Sequence, residues 1–177
     1  MVAIQVVARK RLYRGRVFDL VREQIRMKGR LIVRDRIEHP GAVVMVPMLT
    51  RTHLVFVKQY RRAVRRTLLE LPAGTLAPGE PRVACARREL IEETGWRARR
   101  WKQLGRFFAA PGFCSEELTV FLARNLMQVG ADPEPDEWLE PVVLTFREAL
   151  RKIDSGAICD AKTIVSLFLA RTYLRDA

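Results

Sequence analysis

The sequence predicts a layered α/β domain, and three observations carry this prediction. Stretches of β-branched and aromatic residues alternate along the chain with three stretches of helical apolar spacing. The length of 177 residues is enough for one domain with a full hydrophobic core. The 49% hydrophobic and 29% charged residues are typical of globular proteins, which excludes a disordered or collagen-like chain.

The first part of the chain predicts a separate β region. Residues 11–38 show strand patterns, and two of these strands flank Lys28-Gly29, a pair that suits a tight hairpin turn. The breaker His39-Pro40-Gly41 follows. We therefore predict an N-terminal β region over residues 1–39 and a main domain over residues 40–177.

The main domain begins with two strands and a loop that leads into a helix. Pro81 suits a helix start, and the apolar residues that follow have helical spacing until Gly95 ends the pattern. The predicted strands are 42–49, 53–59, 101–108, 118–123 and 141–145, and the predicted helices are 81–94, 146–155 and 161–174.

Charge and cysteine content restrict the class of protein. A net charge of +12 attracts anions, whether phosphorylated small molecules, nucleic acid or acidic lipid, without choosing among them. No apolar run reaches the roughly 18 residues of a membrane span. The first basic residues follow the short N-terminal apolar stretch, whereas in a signal peptide they would precede it. Cys85, Cys114 and Cys159 are widely spaced and fit neither a disulfide framework nor a CxxC metal site. We therefore expect a cytoplasmic protein with no membrane partner.

Three glutamates lie close together on the first predicted helix. Spacings of three and four residues put Glu89, Glu92 and Glu93 on one face, where their like charges repel unless cations neutralise them. Arg88 can take up part of this charge, and Mg²⁺ prefers carboxylate oxygens as ligands. A solvated acidic helix face is the alternative for these glutamates alone.

A longer pattern around these glutamates resembles the Nudix box. It consists of Gly74, five residues, Glu80, seven residues, and then Arg88-Glu89-Leu90-Ile91-Glu92-Glu93-Thr94-Gly95-Trp96. The box specifies the residue type at nine of these eleven positions, and all nine match, which has a chance of about one in a billion in a random window at average residue frequencies. The chain is thus identified as similar to the Nudix hydrolases.

The flanks resemble the ADP-ribose pyrophosphatase branch of that family. Gln59-Tyr60-Arg61-Arg62 is similar to the branch's "QYR" segment, and Glu70-Leu71-Pro72-Ala73-Gly74 is similar to its entry into the box. Pro111 lies sixteen residues after Gly95, where the branch carries a proline. The resemblance implies an α/β/α sandwich around a mixed β-sheet.

The resemblance also implies roles for individual residues. Glu89 and Glu93 would be the main ligands of Mg²⁺ or Mn²⁺, with Glu92 and the Ala73 carbonyl completing the set. Arg88 would hold the glutamates through ion pairs, and Glu80 would anchor the loop before the helix. The substrate-binding residues would be Arg61, Pro111, Gly112, Phe113 and Glu116, the last also able to assist the metal. The general base would be a glutamate downstream of the box, for which Glu137 is our choice and Glu134 and Glu140 are the alternatives.

The implied reaction is attack of water on the pyrophosphate of ADP-ribose, which yields AMP and ribose 5-phosphate. The branch typically dimerises through an N-terminal β region. Two alternatives stay open. One is another Nudix substrate, such as GDP-mannose, FAD, a dinucleotide or an RNA 5′ end. The other is a non-catalytic nucleotide-sensing or nucleic-acid-binding module, which the intact box disfavours. Nucleic acid is not expected as a partner, because the aromatic residues lie mostly in apolar strand patterns and are not interleaved with the basic residues.

Overall fold

The computed structural model describes residues 4–130 and 138–174, which fall into two compact units. The first unit comprises Met1–Gly41 and Phe108–Glu117, and the second comprises Ala42–Phe107 and Leu118–Ala177. The first unit includes the loop Phe108–Glu117 in addition to the predicted region 1–39, because backbone hydrogen bonds join this loop to Ile37. The Ile37 N–H donates to the Phe113 carbonyl at 2.8 Å, and the Ser115 N–H donates to the Ile37 carbonyl at 3.0 Å.

The first unit is built on an antiparallel sheet of three strands. These are β1 (Ile4–Arg14), β2 (Asp19–Met27) and β3 (Arg30–Glu38), in the order β1-β2-β3. The predicted hairpin turn is confirmed, since Lys28 and Gly29 both have positive φ angles, 50° and 75°. β1 begins before the predicted residue 11. A register shift between Val6 and Ala8 interrupts its alternating pattern and hides the strand in the sequence.

The second unit contains two sheets and three helices. Its strands are β4 (Ala42–Pro47), β5 (His53–Arg61), β6 (Arg66–Glu70), β7 (Ala73–Thr75), β8 (Trp96–Phe108), β9 (Glu117–Gln128) and β10 (Leu139–Thr145). Its helices are α1 (Arg82–Thr94), α2 (Phe146–Asp154) and α3 (Ala161–Ala170), the last followed by a 3₁₀ turn over Arg171–Tyr173. The sheet orders are β10-β5-β6 and β7-β4-β9-β8. The second sheet is mixed, as predicted, because β4 pairs parallel with β9 and antiparallel with β7.

Strand β4 is buried on both faces and separates two hydrophobic clusters. Val44 and Val46 pack in one cluster with Leu167 of α3, and Val43 packs in the other with Leu90 of α1. The two helices therefore cover opposite faces of β4. The α/β layered class is confirmed. No helix in the described ranges is both long enough and apolar enough to cross a membrane.

Most predicted elements are present, with two additions. Helix α1 ends where predicted, at Gly95, which has a φ angle of 73° and donates its N–H to the Ile91 carbonyl at 2.8 Å. Strands β6 and β7 lie in stretches that we had not predicted as strands. β7 has only three residues, too few for a periodic signal, and it forms because Gly74 and its neighbours pair with β4.

Candidate active site

Helix α1 holds its glutamates in place because neighbouring residues on the same side of the helix are anchored in the core. Cys85, Ala86 and Leu90 are fully buried against the sheet, which fixes the rotation of the helix. Glu93 is 3% exposed, whereas the side chain of Glu92 keeps 30% of its accessible surface. The glutamate face thus runs from the buried edge of the sheet toward solvent.

Arg88 joins three carboxylates of this face and its preceding loop. Its Nε and Nη2 donate to the two oxygens of Glu80, each at 3.1 Å. Its Nη1 donates to Glu89 Oε1 at 2.8 Å and to Glu92 Oε2 at 2.9 Å. The hydrogen bond from Arg88 holds the pKa of Glu80 below its usual value, against a smaller opposing effect of burial. One guanidinium therefore offsets the repulsion that the glutamate spacing creates.

The glutamates also contact the backbone of strand β7. A Cβ at Gly74 would lie 1.9 Å from Glu89 Cδ, so only glycine leaves room for this carboxylate. The Ala73 N–H donates to Glu93 Oε2 at 3.0 Å. The Pro72 carbonyl in turn accepts a hydrogen bond from the Met45 N–H at 2.9 Å, which ties the segment to β4.

The chemistry of this cluster fits a divalent cation. Its donors are carboxylate and carbonyl oxygens, which Mg²⁺ and Mn²⁺ prefer. Gly74 leaves the Glu89 carboxylate room beside the backbone, and Glu89 and Glu92 already share one cationic partner. Among residues 4–130 and 138–174, no three acidic, histidine or cysteine side chains are arranged as a metal-ligand group. Arg88 and the Ala73 N–H instead satisfy oxygens that a cation would use.

Arg61, a predicted substrate contact, is held by a buried carboxylate. Its Nε and Nη2 donate to the two oxygens of Glu70 at 2.9 and 2.6 Å, and Glu70 is 1% exposed. Burial lowers the pKa of Arg61, but Glu70, then Glu93 and Asp160, raise it by more. The Arg61 guanidinium is therefore charged and fixed within the influence of Glu93. Its contact with substrate stays a prediction.

A second set of contacts fixes the segment before Ala73 and was not predicted from the sequence. Lys162 on α3 also donates to Glu70. Thr163 Oγ1 accepts the Leu71 N–H at 2.8 Å and donates to Asp160 Oδ2 at 2.6 Å. Asp160 is the N-cap of α3 and accepts the Thr163 N–H at 3.0 Å.

Only part of this second set carries a signal in the sequence. An aspartate three residues before Thr163, ahead of an apolar run, is a recognisable N-cap pattern. The hydrogen bond between Thr163 and Leu71 has no such signal, because the two residues are 92 positions apart and no local pattern connects them.

The predicted substrate loop belongs to the first unit, which contains Pro111, Gly112, Phe113 and Glu116. The Phe113 side chain is exposed, and its backbone N–H donates to the Ala110 carbonyl at 3.1 Å. Glu116 Oε1 lies 3.8 Å from His39 Nε2. The roles of these four residues in substrate binding stay predictions.

Two of the three candidate general bases, Glu134 and Glu137, lie outside the described residues. The third, Glu140, lies on β10 and forms an ion pair with Lys58 on β5 at 2.8 Å. The assignment of the base therefore stays a prediction.

The cysteines are all free, as expected. Cys85 is buried, Cys114 is half-buried and Cys159 is exposed. Burial, followed by the charges of Glu80 and Glu89, raises the pKa of the Cys85 thiol to about 12. This thiol is protonated at neutral pH and is no nucleophile.

Comparisons with known proteins extend over most of the chain. Residues 38–164 match the NUDIX domain family. The chain is 34% identical over 166 residues to the ADP-ribose pyrophosphatase of Bacillus subtilis (strain 168), with 92% of this chain and 90% of the relative covered. It is 32% identical over 167 residues to the GDP-mannose pyrophosphatase of Cronobacter sakazakii, with coverages of 87% and 84%.

A solved ADP compounds hydrolase has a similar fold. Its TM-score is 0.85 at 23% identity, over 98% of this chain and 95% of that one. At this identity the likeness shows the arrangement of the elements alone.

Proposed function

This chain belongs to the NUDIX family, and from that membership we propose that it hydrolyses the pyrophosphate bond of ADP-ribose or a related ADP-sugar. The products would be AMP and a sugar phosphate. The observation that carries the proposal is the glutamate cluster of α1, in which Arg88 contacts Glu80, Glu89 and Glu92 and the backbone of Ala73 contacts Glu93. The relative from Bacillus subtilis supports the choice of substrate.

Hydrolases of this family generally use divalent metal ions. We assign Glu89, Glu92, Glu93 and the Ala73 carbonyl as the ligands of Mg²⁺ or Mn²⁺. When bound, the ion would offset the charge of the phosphates and lower the pKa of the attacking water. Arg88 would keep the glutamates oriented, and the Ala73 N–H would hold Glu93.

We assign the remaining roles as the family resemblance implies. Arg61 would bind the substrate phosphates or terminal ribose, and its charge supports this role. Pro111, Gly112, Phe113 and Glu116 would form the loop that selects the sugar. Glu137 would accept the proton of the attacking water, with Glu134 and Glu140 as alternatives.

We further propose a cytoplasmic homodimer. Three free cysteines support the reducing compartment. The outer edge of β1 has no paired strand in the described chain, and all eleven residues of β1 are exposed. Val6, Ile25 and Ile32 are aligned across the sheet and form an apolar row on one face. A long unpaired edge beside exposed apolar side chains is suited to pairing with a second copy.

A substrate panel tests the proposed activity. Purified protein with Mg²⁺ is incubated with ADP-ribose, ADP-glucose, GDP-mannose, FAD, a dinucleotide or 5′-triphosphorylated RNA, and product release is measured. The Glu93→Gln variant, purified in the same way, controls for contaminating hydrolases. We expect ADP-ribose to have the highest kcat/KM. A higher kcat/KM for GDP-mannose would favour the second candidate, which the relative from Cronobacter sakazakii supports.

A further inference from the structure

A polar cavity of about 570 Å³ lies in the second unit beyond the carboxyl end of β4. Thr50 and Arg51 of the turn after β4 line it on one side, and Arg124 and Asn125 of β9 line it on another. Tyr173 of the 3₁₀ turn contributes a partly exposed aromatic ring. The volume of the cavity is within the range of small-molecule binding sites.

The cavity is separate from the glutamate cluster. Along β4, Val43 pairs with Gly74, beside Glu89, whereas the cavity begins at Met48. Five residues of extended chain span about 16 Å. A ligand in the cavity would therefore lie away from the glutamates, in the crevice beyond the carboxyl end of a strand in a parallel pair, a common position for ligands in α/β sheets.

The turn that carries Arg51 is held in place by hydrogen bonds. Thr50 Oγ1 accepts the N–H groups of Thr52 and His53 at 3.2 and 3.0 Å. The Leu49 N–H donates to the His53 carbonyl at 2.9 Å, and the Met48 N–H donates to the Ala123 carbonyl of β9 at 2.8 Å. The wall of the cavity is therefore preformed, which lowers the entropic cost of binding a ligand.

The positive charge of the cavity is not balanced within the described chain. No acidic residue of the described ranges lines it, and neither Arg51 nor Arg124 forms an ion pair with another described residue. Lys102 lies close to one lining residue, with its Nζ 4.7 Å from the centroid of the Tyr173 ring. Arg51 and Arg124 are both exposed to solvent, so a ligand can reach their guanidinium groups.

We propose that this cavity is a second ligand site, which binds the phosphate group of a nucleotide. Arg51 and Arg124 lie on separate elements, and each can donate paired N–H groups to the oxygens of one phosphate. The Asn125 amide and the Tyr173 hydroxyl are further polar groups for the sugar or base. The volume exceeds what inorganic phosphate needs, which favours a nucleotide over the free anion.

An NMR titration of the ¹⁵N-labelled full chain tests the proposal. AMP and inorganic phosphate are titrated separately in EDTA, so that the outcome does not depend on a metal or on catalysis. We expect AMP to shift the amide signals of residues 48–51 and 124–126, and to bind more tightly than phosphate. In the double variant Arg51→Gln/Arg124→Gln, AMP affinity at these amides should fall about tenfold or more.

The matched control is Arg30→Gln/Arg147→Gln, which removes two exposed charges outside the cavity and should leave AMP affinity unchanged. Unshifted signals elsewhere in the spectrum show that each variant is folded. The proposal is overturned if AMP leaves the cavity amides unshifted, or if both double variants bind AMP as the wild type does. Equal affinity for phosphate and AMP overturns the nucleotide assignment.

Discussion

The absence of a side chain at position 74 determines where Glu89 lies. The Glu89 carboxylate occupies the space that a Cβ of Gly74 would need, beside the backbone that also holds Glu93. Arg88 Nη1 donates to Oε1 of the same carboxylate at 2.8 Å. A glycine and an arginine thus position one predicted metal ligand, and neither needs to touch the substrate.

We predict that Gly74→Ala displaces Glu89 while the fold is kept. Because the new methyl group would overlap the far end of a flexible side chain, we expect a cost of about 1–3 kcal/mol in the free energy of unfolding. The value of kcat/KM for ADP-ribose should fall about 100-fold. Gly105→Ala is the control, since its Cβ would make an ordinary contact at 3.4 Å with Leu169. Equal activity of the two variants would disprove this role of Gly74.

The sequence predicts local partners at this scale and misses distant ones. Arg88, Glu89 and Glu92 are neighbours on one helix, so their spacing alone predicts their contacts. Arg61 and Glu70 meet only because β5 and β6 pair, and β6 was not predicted. The contacts of Glu70 with α3 depend on tertiary packing, for which a single sequence holds no periodic signal.

The first turn of α3 supports the segment that leads into β7. Thr163 satisfies the buried N–H of Leu71, and the Asp160 cap orients the Thr163 hydroxyl. Lys162 from the same turn contacts Glu70. The beginning of one helix thus fixes both the residue that holds Arg61 and the backbone that leads to Ala73.

We predict that Thr163→Val destabilises the protein by about 1–3 kcal/mol, because the Leu71 N–H loses its partner in a buried environment. Ser166 offers a control on the same helix. It is also fully buried, but its hydroxyl has no hydrogen-bond partner within the described chain. Ser166→Ala should change the free energy of unfolding in urea by less than about 1 kcal/mol. A larger loss for Ser166→Ala than for Thr163→Val would contradict this account.

The same contacts predict a dependence of stability on pH. Burial alone would raise the pKa of Glu70, but Arg61 and Lys162 hold it below its ordinary value of 4.5. A carboxylate with a lowered pKa in the folded state contributes stability above its unfolded pKa, and this contribution is lost as the pH falls.

We therefore expect Glu70→Gln to lower the free energy of unfolding by about 1–3 kcal/mol at pH 7. The difference from the wild type should shrink as the pH falls below about 4.5. Urea unfolding of both proteins across this range measures it. A difference that stays constant with pH would show that the charge of Glu70 contributes nothing.

Element predictions succeeded where an element was long and regular. Helix α1 was predicted to within one residue at its start and correctly at its end, because apolar spacing and Gly95 agree. β7 was missed because its three residues become a strand only through pairing with β4. Helix α3 was predicted too long, since its last turn tightens into the 3₁₀ turn over Arg171–Tyr173.

At the scale of the whole molecule, we predict a dimer formed through the first unit. Val6 is 52% exposed in the single chain, so a charge there should leave the monomer folded. We expect the wild type to elute as a dimer in size-exclusion chromatography with light scattering, and Val6→Glu to shift it toward the monomer. Val143→Glu is the control, because Val143 on β10 is also exposed but lies outside the first unit. A monomeric wild type would refute the dimer.

The sequence predicts the class of the molecule better than its division into units. The box and its flanks are local patterns that indicate the family, and the family resemblance in turn implies the mixed sheet. The addition of Phe108–Glu117 to the first unit depends on backbone hydrogen bonds between Ile37 and a loop some 76 residues later. Such a pairing leaves no mark in either segment.

The account depends most directly on whether the glutamates of α1 hold a divalent ion for hydrolysis. Glu93→Gln is the sharpest variant, since its amide oxygen can still accept the Ala73 N–H and keep the fold. Mn²⁺ binding by calorimetry and ADP-ribose turnover are measured for the wild type, Glu93→Gln and the exposed-site control Asp154→Asn. We predict that Glu93→Gln alone loses Mn²⁺ affinity and about 100-fold or more of kcat/KM, with an unchanged unfolding midpoint. Undiminished Mn²⁺ binding and turnover in Glu93→Gln would contradict the account.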